Sequence, residues 1–327
     1  MATLYLDQQD LELRADGKTL AFYESGERRG TVPLSFLDRV VIKGGRTRLD
    51  SGVLMKIAEA GATTVLVSPR IGNRVAIILG PAHNDAAVRL AQARRVFDEA
   101  YCRDFALRLV TAKLRRQRQT MTLALRDRPD ARRPLFDAVA AIDGALEALK
   151  NRESATCATI RGIEGAAART YIKGLAAVFP PSARFSGRNR RPPRDPVNVC
   201  LSLAYTLLHV DAVRAAYAAG IDPLLGFYHR PAFGRESLAC DLIEPLRPHA
   251  DAWVWQMWRA RVFREDHYTT AGGACLIGKA GRERFYQQWE GQAGRYRRWM
   301  RRMVASLART LREEGEPLLA LAEEEEP

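Results

Sequence analysis

The chain has 327 residues, 47% of them hydrophobic, and a formal net charge of +13, so it can bury a large core in two domains and its field draws in polyanions. The remainder is more basic still without the glutamate run Glu323 to Glu326. Five cysteines (102, 157, 200, 240 and 275) form no C-x-x-C pair, which argues against a disulfide framework and a structural zinc site and suits a reducing compartment. No apolar run approaches the ~18 residues of a membrane span, and the N-terminus shows no basic stretch followed by an apolar one. The expectation is a cytoplasmic protein with no membrane contact and a nucleic-acid partner.

Residues 1 to about 80 read as mostly strand. Leu11 to Arg14 and Thr19 to Tyr23 flank Asp16-Gly17, a hairpin signal. Arg39 to Ile42, Thr63 to Val67 and Val75 to Leu79 are short aliphatic or β-branched runs of the kind that fits a pleated surface. One short helix, capped by Asp50 or Ser51 and ended by Gly61, interrupts them. After Gly80-Pro81 the period changes. Leu90, Ala93, Phe97, Tyr101, Phe105 and Leu109 follow a spacing of three or four, which predicts one long helix with Asn84 as its N-cap. Tyr296, Met300, Met303, Leu307 and Leu311 mark the last helix, and such stripes are core rather than a cofactor box. The expected fold is α+β: a β-rich domain over 1–80 and a large all-α domain over 81–327.

Between Pro180 and Pro196 the character differs. Pro181, Pro192 and Pro193 accompany Arg184, Arg188, Arg190, Arg191 and Arg194, with no acid before Asp195. Pro-Pro cannot propagate a helix, so this is an extended loop. A solvated charge run is the plain reading; in so basic a chain, phosphate contact is favoured over it.

No Ser-His-Asp or Cys-His signature, no phosphate-binding G-x-x-x-x-G-K-[ST] loop and no H-E-x-x-H helix occurs, which removes ATPase and zinc-protease readings. Glu164 stands in Arg161-Gly162-Ile163-Glu164-Gly165, ahead of an Ala-rich stretch. Alone it reads as a first-turn glutamate favoured by the helix dipole. His229, in Gly226-Phe227-Tyr228-His229-Arg230-Pro231, alone reads as a hydrogen-bonded structural imidazole. Asp241 and Glu244 are three apart in Ser237-Leu238-Ala239-Cys240-Asp241-Leu242-Ile243-Glu244, hence on one face of a helical turn. Two such carboxylates repel unless a cation lies between them. The plain alternative is pairing with Arg235 or Arg247. Oxygen ligands with one imidazole suit Mg²⁺ or Mn²⁺ rather than zinc. His209, at the end of an apolar pattern, reads as packed or capping, and His83, His249 and His267 as loop residues.

The ordered runs RGIEGAAARTYIKGLAAVFP, RFSGRNRRPPRDPVNVCLSLAYTLL, GFYHR and SLACDLIEPLRP resemble the integrase subunit of the CRISPR adaptation module, the CRISPR-associated endonuclease of spacer acquisition. The resemblance is specific over roughly residues 155 to 265, and the β-first, helix-second layout extends it. It implies a β-rich dimerisation domain followed by an α-helical catalytic domain, a homodimer, and a small ferredoxin-like partner subunit. It also implies metal-dependent cleavage of DNA and insertion of short fragments into the CRISPR array. By motif, Glu164, His229 and Asp241 fall on the family's metal ligands, and Glu244 on a second acid that is often aspartate. Arg161 falls on a basic position, and the RNRRPPRDPVN loop on the proline-rich segment beside the site. The expected reaction is attack of a fragment's 3′-hydroxyl on a phosphodiester of the repeat, with the loop arginines and Arg295, Arg298 and Arg302 holding double-stranded or branched DNA by its backbone. The competing readings are a stand-alone structure-selective nuclease on branched DNA and a non-catalytic basic DNA binder.

Overall fold

The structure, a computed structural model, describes all residues except 1, 9, 44–45, 68–73, 81–82, 84, 151–154, 190–191 and 325–327, and the side chains of 2, 74–75 and 321–324. The chain forms two compact units, Met1–Asn84 and Asp85–Pro327.

The first unit is built on strands β1 (Ala2–Leu6), β2 (Leu11–Asp16), β3 (Thr19–Glu24), β4 (Glu27–Pro33) and β5 (Leu37–Lys43), helix α1 (Ser51–Glu59), and strands β6 (Thr63–Val67) and β7 (Arg74–Ile78). The meander β2-β3-β4 is antiparallel, and Gly17 at φ 57° makes its first turn as Asp16-Gly17 predicts. β5 pairs parallel with both β1 and β6, and β7 closes the sheet antiparallel to β6. A parallel pair needs a crossover, and α1 supplies it between β5 and β6. Asp50 caps α1 by accepting from the Val53 amide at 2.9 Å, and Gly61 at φ +74° leaves it. Leu11, Leu13, Leu20, Val40, Val53 and Ile57 are buried together between the layers. β1 and β4 lie outside the predicted strands. β4 carries Glu27, Arg28, Arg29 and Gly30 and so has little apolar signal. At its Gly30 the Phe22 ring lies so close that a Cβ would meet it at 2.7 Å and the ring would have to shift.

The second unit contains helices α2 (Ala86–Val96), α3 (Glu99–Asp127), α4 (Arg132–Ala148), α5 (Cys157–Val178), α6 (Pro196–Ala218), α7 (Ser237–Ile243), α8 (Arg247–Arg259) and α9 (Lys279–Glu324). The single long helix expected after residue 84 is two. The chain breaks at Phe97-Asp98, where Asp98 accepts from the Tyr101 amide at 2.9 Å and starts α3. The cap of α2 is Asp85, accepting from Val88 at 3.4 Å; Asn84, the expected cap, lies outside the described residues. The unit is not wholly helical, since a short hairpin pairs β8 (Tyr268–Ala271) with β9 (Ala274–Ile277) through Gly272-Gly273, both at positive φ.

α6 is the one helix among the described residues long and apolar enough to cross a membrane, and 72% of that window is buried inside the unit; it is a core helix. α9 is tied to it by a buried ion pair, Arg297 Nε to Asp211 Oδ1 at 3.3 Å, and to α8 by Trp253 edge-on to Phe285 and Trp289 at 5.2 Å each. α5 packs close on α3 and α4 at Gly174, where a Cβ would come within 3.0 Å of Met121 and Ala138. The cysteines all carry free thiols. Two histidines differ from expectation: His249 lies within α8 rather than a loop, and α6 continues past His209, whose Nδ1 is 3.5 Å from Glu236.

Candidate active site

The segment 219–236 links α6 to α7 and carries His229. Phe227 pins it to α3, packing edge-on against Tyr101 and Phe105 with ring centroids 5.0 Å apart in each case. Gly226 makes the approach possible, because a Cβ would lie 2.6 Å from the His229 carbonyl oxygen and from Ser237.

Asp241, on α7, is 0% exposed. Its Oδ2 accepts from the amides of Phe227 (2.9 Å) and Tyr228 (3.0 Å), and its Oδ1 from the His229 amide (2.9 Å) and stands 2.6 Å from His229 Nδ1. A carboxylate has about four lone-pair sites, and these contacts use them all. Burial raises the Asp241 pKa, and the imidazole and amides pull against that. The structure turns the Asp241 carboxylate, expected as a metal ligand, toward the His229 loop. The carboxylate shapes that loop, and by accepting a hydrogen bond from Nδ1–H it would leave the Nε2 lone pair for a ligand.

Glu244, rather than Asp241, faces the Lys113 ammonium. It begins the turn between α7 and α8 and is 6% exposed. Lys113 Nζ on α3 is 2.6 Å from its Oε2, and Arg247 Nε is 2.9 Å from its Oε1. Burial alone would raise the Glu244 pKa, but Arg247 and Lys113 outweigh it and hold it at about 2. Glu164 meets the same ammonium: Lys113 Nζ lies 2.5 Å from Glu164 Oε1. The first-turn alternative for Glu164 fails, since it lies two turns inside α5. Burial disfavours the Lys113 charge, yet the two glutamates push its pKa above the usual lysine value.

Among the described residues no three His, Cys, Asp or Glu side chains close on a single point. Two do, Glu164 and Glu244, and the group they close on is a cation. His229 contributes to the field at Glu244. Both glutamates, with Arg161 in opposition, act on the Tyr228 hydroxyl, whose pKa is raised first by burial.

Beside this cluster runs a groove of about 680 Å³, with Pro245 on its wall and Arg115, Arg116, Arg295, Arg298 and Arg302 around it. His249 lines it and is pushed down to about 4 by burial and then by Arg116 and Arg295. The α9 arginines singled out from the sequence thus share a cleft with α3 arginines that were not. The proline-rich loop is tethered rather than simply extended. It contains a 3-10 turn at Pro181–Ala183, and Asn198 Nδ2 donates to the Gly187 carbonyl at 2.7 Å and to Asp195 at 2.6 Å. Arg188 serves that structure, 2.5 Å from Asn198 Oδ1 and stacked over Tyr205 at 5.2 Å. Arg184 and Arg194 are exposed; Arg190 and Arg191 lie outside the described residues. Sequence reasoning missed Lys113, Arg115 and Arg116, although the run Lys113-Leu114-Arg115-Arg116 was there to find.

The family model described as CRISPR associated protein Cas1 matches residues 4–291. CRISPR-associated endonuclease Cas1 1 of Thermodesulfovibrio yellowstonii is 36% identical over 321 residues, 96% of this chain and 98% of that protein. Among solved structures, a casposase bound to integration product superposes with TM-score 0.82 at 18% identity, covering 96% of this chain and 91% of the other. A chain of a Cas6-RT-Cas1–Cas2 complex gives 0.79 at 20% identity over 96% of this chain and 35% of the other. At these identities the structures speak to fold.

Proposed function

The chain belongs to the Cas1 family of CRISPR-associated proteins, and from that premise we propose that it is a divalent-metal-dependent DNA endonuclease and integrase that inserts short foreign DNA fragments into a CRISPR array by transesterification. The observation that carries the reading is the meeting of Glu164 and Glu244 on one cationic point beside an imidazole fixed by Asp241. A pure DNA binder has little use for a buried Glu244 and a partly buried Glu164 next to an arginine-lined groove.

The residues fit Mg²⁺ or Mn²⁺. Two carboxylates from different helices and one imidazole nitrogen make a hard, oxygen-rich donor set, and the Lys113 ammonium stands in for the ion between the carboxylates. Glu164, Glu244 and His229 Nε2 would hold the metal, with Asp241 behind the histidine. The chemistry such an ion supplies is polarisation of a phosphoryl oxygen and stabilisation of its developing charge.

The chain's own groups do the rest. Asp241 keeps the His229 ring in one orientation and one tautomer. Arg247 offsets the charge of Glu244 from the side away from Lys113. The groove arginines grip backbone phosphates, which positions DNA without reading its sequence. Held so, a fragment's 3′-hydroxyl oxygen bonds to a phosphorus of the repeat, that phosphorus releases its bridging 3′-oxygen, and the proton lost by the attacking hydroxyl balances the one gained by the leaving oxygen. Double-stranded and branched DNA are the substrates of this reading, in the cytoplasm. Its assembly is a homodimer formed through the β-rich unit with a small ferredoxin-like subunit; the Cas6-RT-Cas1–Cas2 complex supports a Cas2 partner.

The test is one variant in two assays. With Mn²⁺ or Mg²⁺, Glu164→Ala abolishes cleavage of branched DNA and fragment insertion while still binding DNA. Full activity in that variant overturns the reading. Metal-dependent cutting by the wild type with no insertion, partner supplied, would favour the stand-alone nuclease.

A further inference from the structure

Two phenylalanines of the second unit stand in solvent on adjoining turns: Phe233 is 108% exposed and Phe97 83%. Scattered exposed apolar residues need no explanation; a built pair does. Phe233 tips a tight turn closed by the Arg235 amide donating to the Ala232 carbonyl at 3.1 Å, with Gly234 at φ +67°. Ser237 Oγ and the Arg235 guanidinium both donate to the Arg230 carbonyl and hold the base of that turn. Arg230 then joins the two turns. Its guanidinium donates to the Val96 carbonyl, next to Phe97, at 2.8 Å and approaches Glu99 at 3.8 Å. Both rings are presented by backbone that is fixed elsewhere, and neither ring holds the fold.

Phe233 is four residues beyond His229 on the segment 219–236, and Arg230 ties its turn to the start of α3, about 21 Å along that helix from Lys113. We propose that Phe233, with Phe97 on the turn that Arg230 ties to it, is a stacking platform for unpaired nucleotides of branched DNA a few nucleotides from the reacting phosphodiester. An exposed phenyl ring offers a base a π-face, and every base can use it irrespective of sequence. Arg230 and Arg235 add positive charge at the platform for the phosphates between the bases. The inference rests on the proposed reaction and assigns it a positioning surface for DNA that is not fully paired.

The experiment uses the full chain without divalent metal, a forked DNA with 2-aminopurine in its unpaired arm, and a fully paired duplex of equal length. For Phe233→Ala, affinity for the fork falls about tenfold, the 2-aminopurine quench disappears, and duplex affinity and the thermal midpoint stay at wild-type values. Phe97→Ala has the same effect at smaller size, and Phe233→Trp restores the quench. Unchanged fork affinity and quench in Phe233→Ala would overturn the platform. So would an equal loss on fork and duplex, or an effect confined to oligomeric state or capture of the partner subunit, which would mark a protein contact. If wild type binds neither DNA, the proposed function falls and takes this inference with it; if wild type prefers the fork and Phe233→Ala matches it, the platform alone falls.

Discussion

Lys113 is what allows Glu164 and the buried Glu244 to lie side by side. Lys113→Met, similar in length and without the charge, leaves both acids short of a cation. The metal-free protein should lose about 3 kcal/mol, as when one member of a buried ion pair is removed, and Mn²⁺ should raise the melting temperature of the variant more than that of wild type. Equal melting temperatures without metal would contradict the role given to Lys113. Asp241→Asn keeps the shape but offers a donor where only acceptors fit. Loss of the histidine's orienting partner should cut metal-dependent activity about 10- to 100-fold; activity at the wild-type level would return Asp241 to a plain packing role. Glu244, depressed to about 2, has a folded pKa below the unfolded value of about 4.3. It therefore contributes stability that is fully present above about pH 4.3 and is lost as pH falls through about 2. Urea melts of wild type and Glu244→Gln from pH 6 to pH 2 should converge as pH drops, and a gap independent of pH would contradict the assignment.

Helices were more legible than what joins them. The stripe Leu90 to Leu109 marks α2 and α3, but the apolar spacing runs on across Phe97-Asp98 and conceals the break, which is set by the Asp98 cap. Leu90, Ala93 and Phe97, core by that spacing, are exposed, because α2 buries the face of Ala87, Val88, Ala91 and Val96 instead. Glu164 reads as a helix start because an Ala-rich stretch follows it, yet α5 begins at Cys157 and runs through Gly162 and Gly165. The spacing of Asp241 and Glu244 points to a cation between them, but Glu244 pairs with Lys113 and with Arg247, the plain alternative, and Asp241 faces elsewhere. Which of the two faces a cation depends on the amides of 227–229, groups that leave no trace in side-chain spacing. Packing between helices gives a check at this scale. Gly174→Val places atoms against Met121, Ala138 and the Pro134 carbonyl and should cost about 1–3 kcal/mol in thermal unfolding; an unchanged melting temperature would mean that α5 does not sit closely against α3 and α4.

In the second unit, charge and site answer each other. A net +13 chain gathers Arg115, Arg116, Arg295, Arg298 and Arg302 along one groove and keeps its clustered acids one step beside it, compensated by Lys113 and Arg247. Composition points to a polyanion, and Arg295, Arg298 and Arg302, singled out in the sequence, line half the groove; Arg115 and Arg116 of α3 line the other half. DNA affinity should fall steeply with salt, and replacing Arg295, Arg298 and Arg302 together by alanine should flatten the log–log salt slope by about 0.9 for each phosphate no longer neutralised. An unaltered slope would move the DNA elsewhere on the surface. The most direct test of the central claim is Mn²⁺-dependent joining of a short DNA fragment to a plasmid-borne array, with the partner subunit supplied, by wild type and by Glu244→Gln matched for DNA binding. Loss of joining in the variant is the predicted result; joining at the wild-type rate would contradict a metal site built on Glu164, Glu244 and His229.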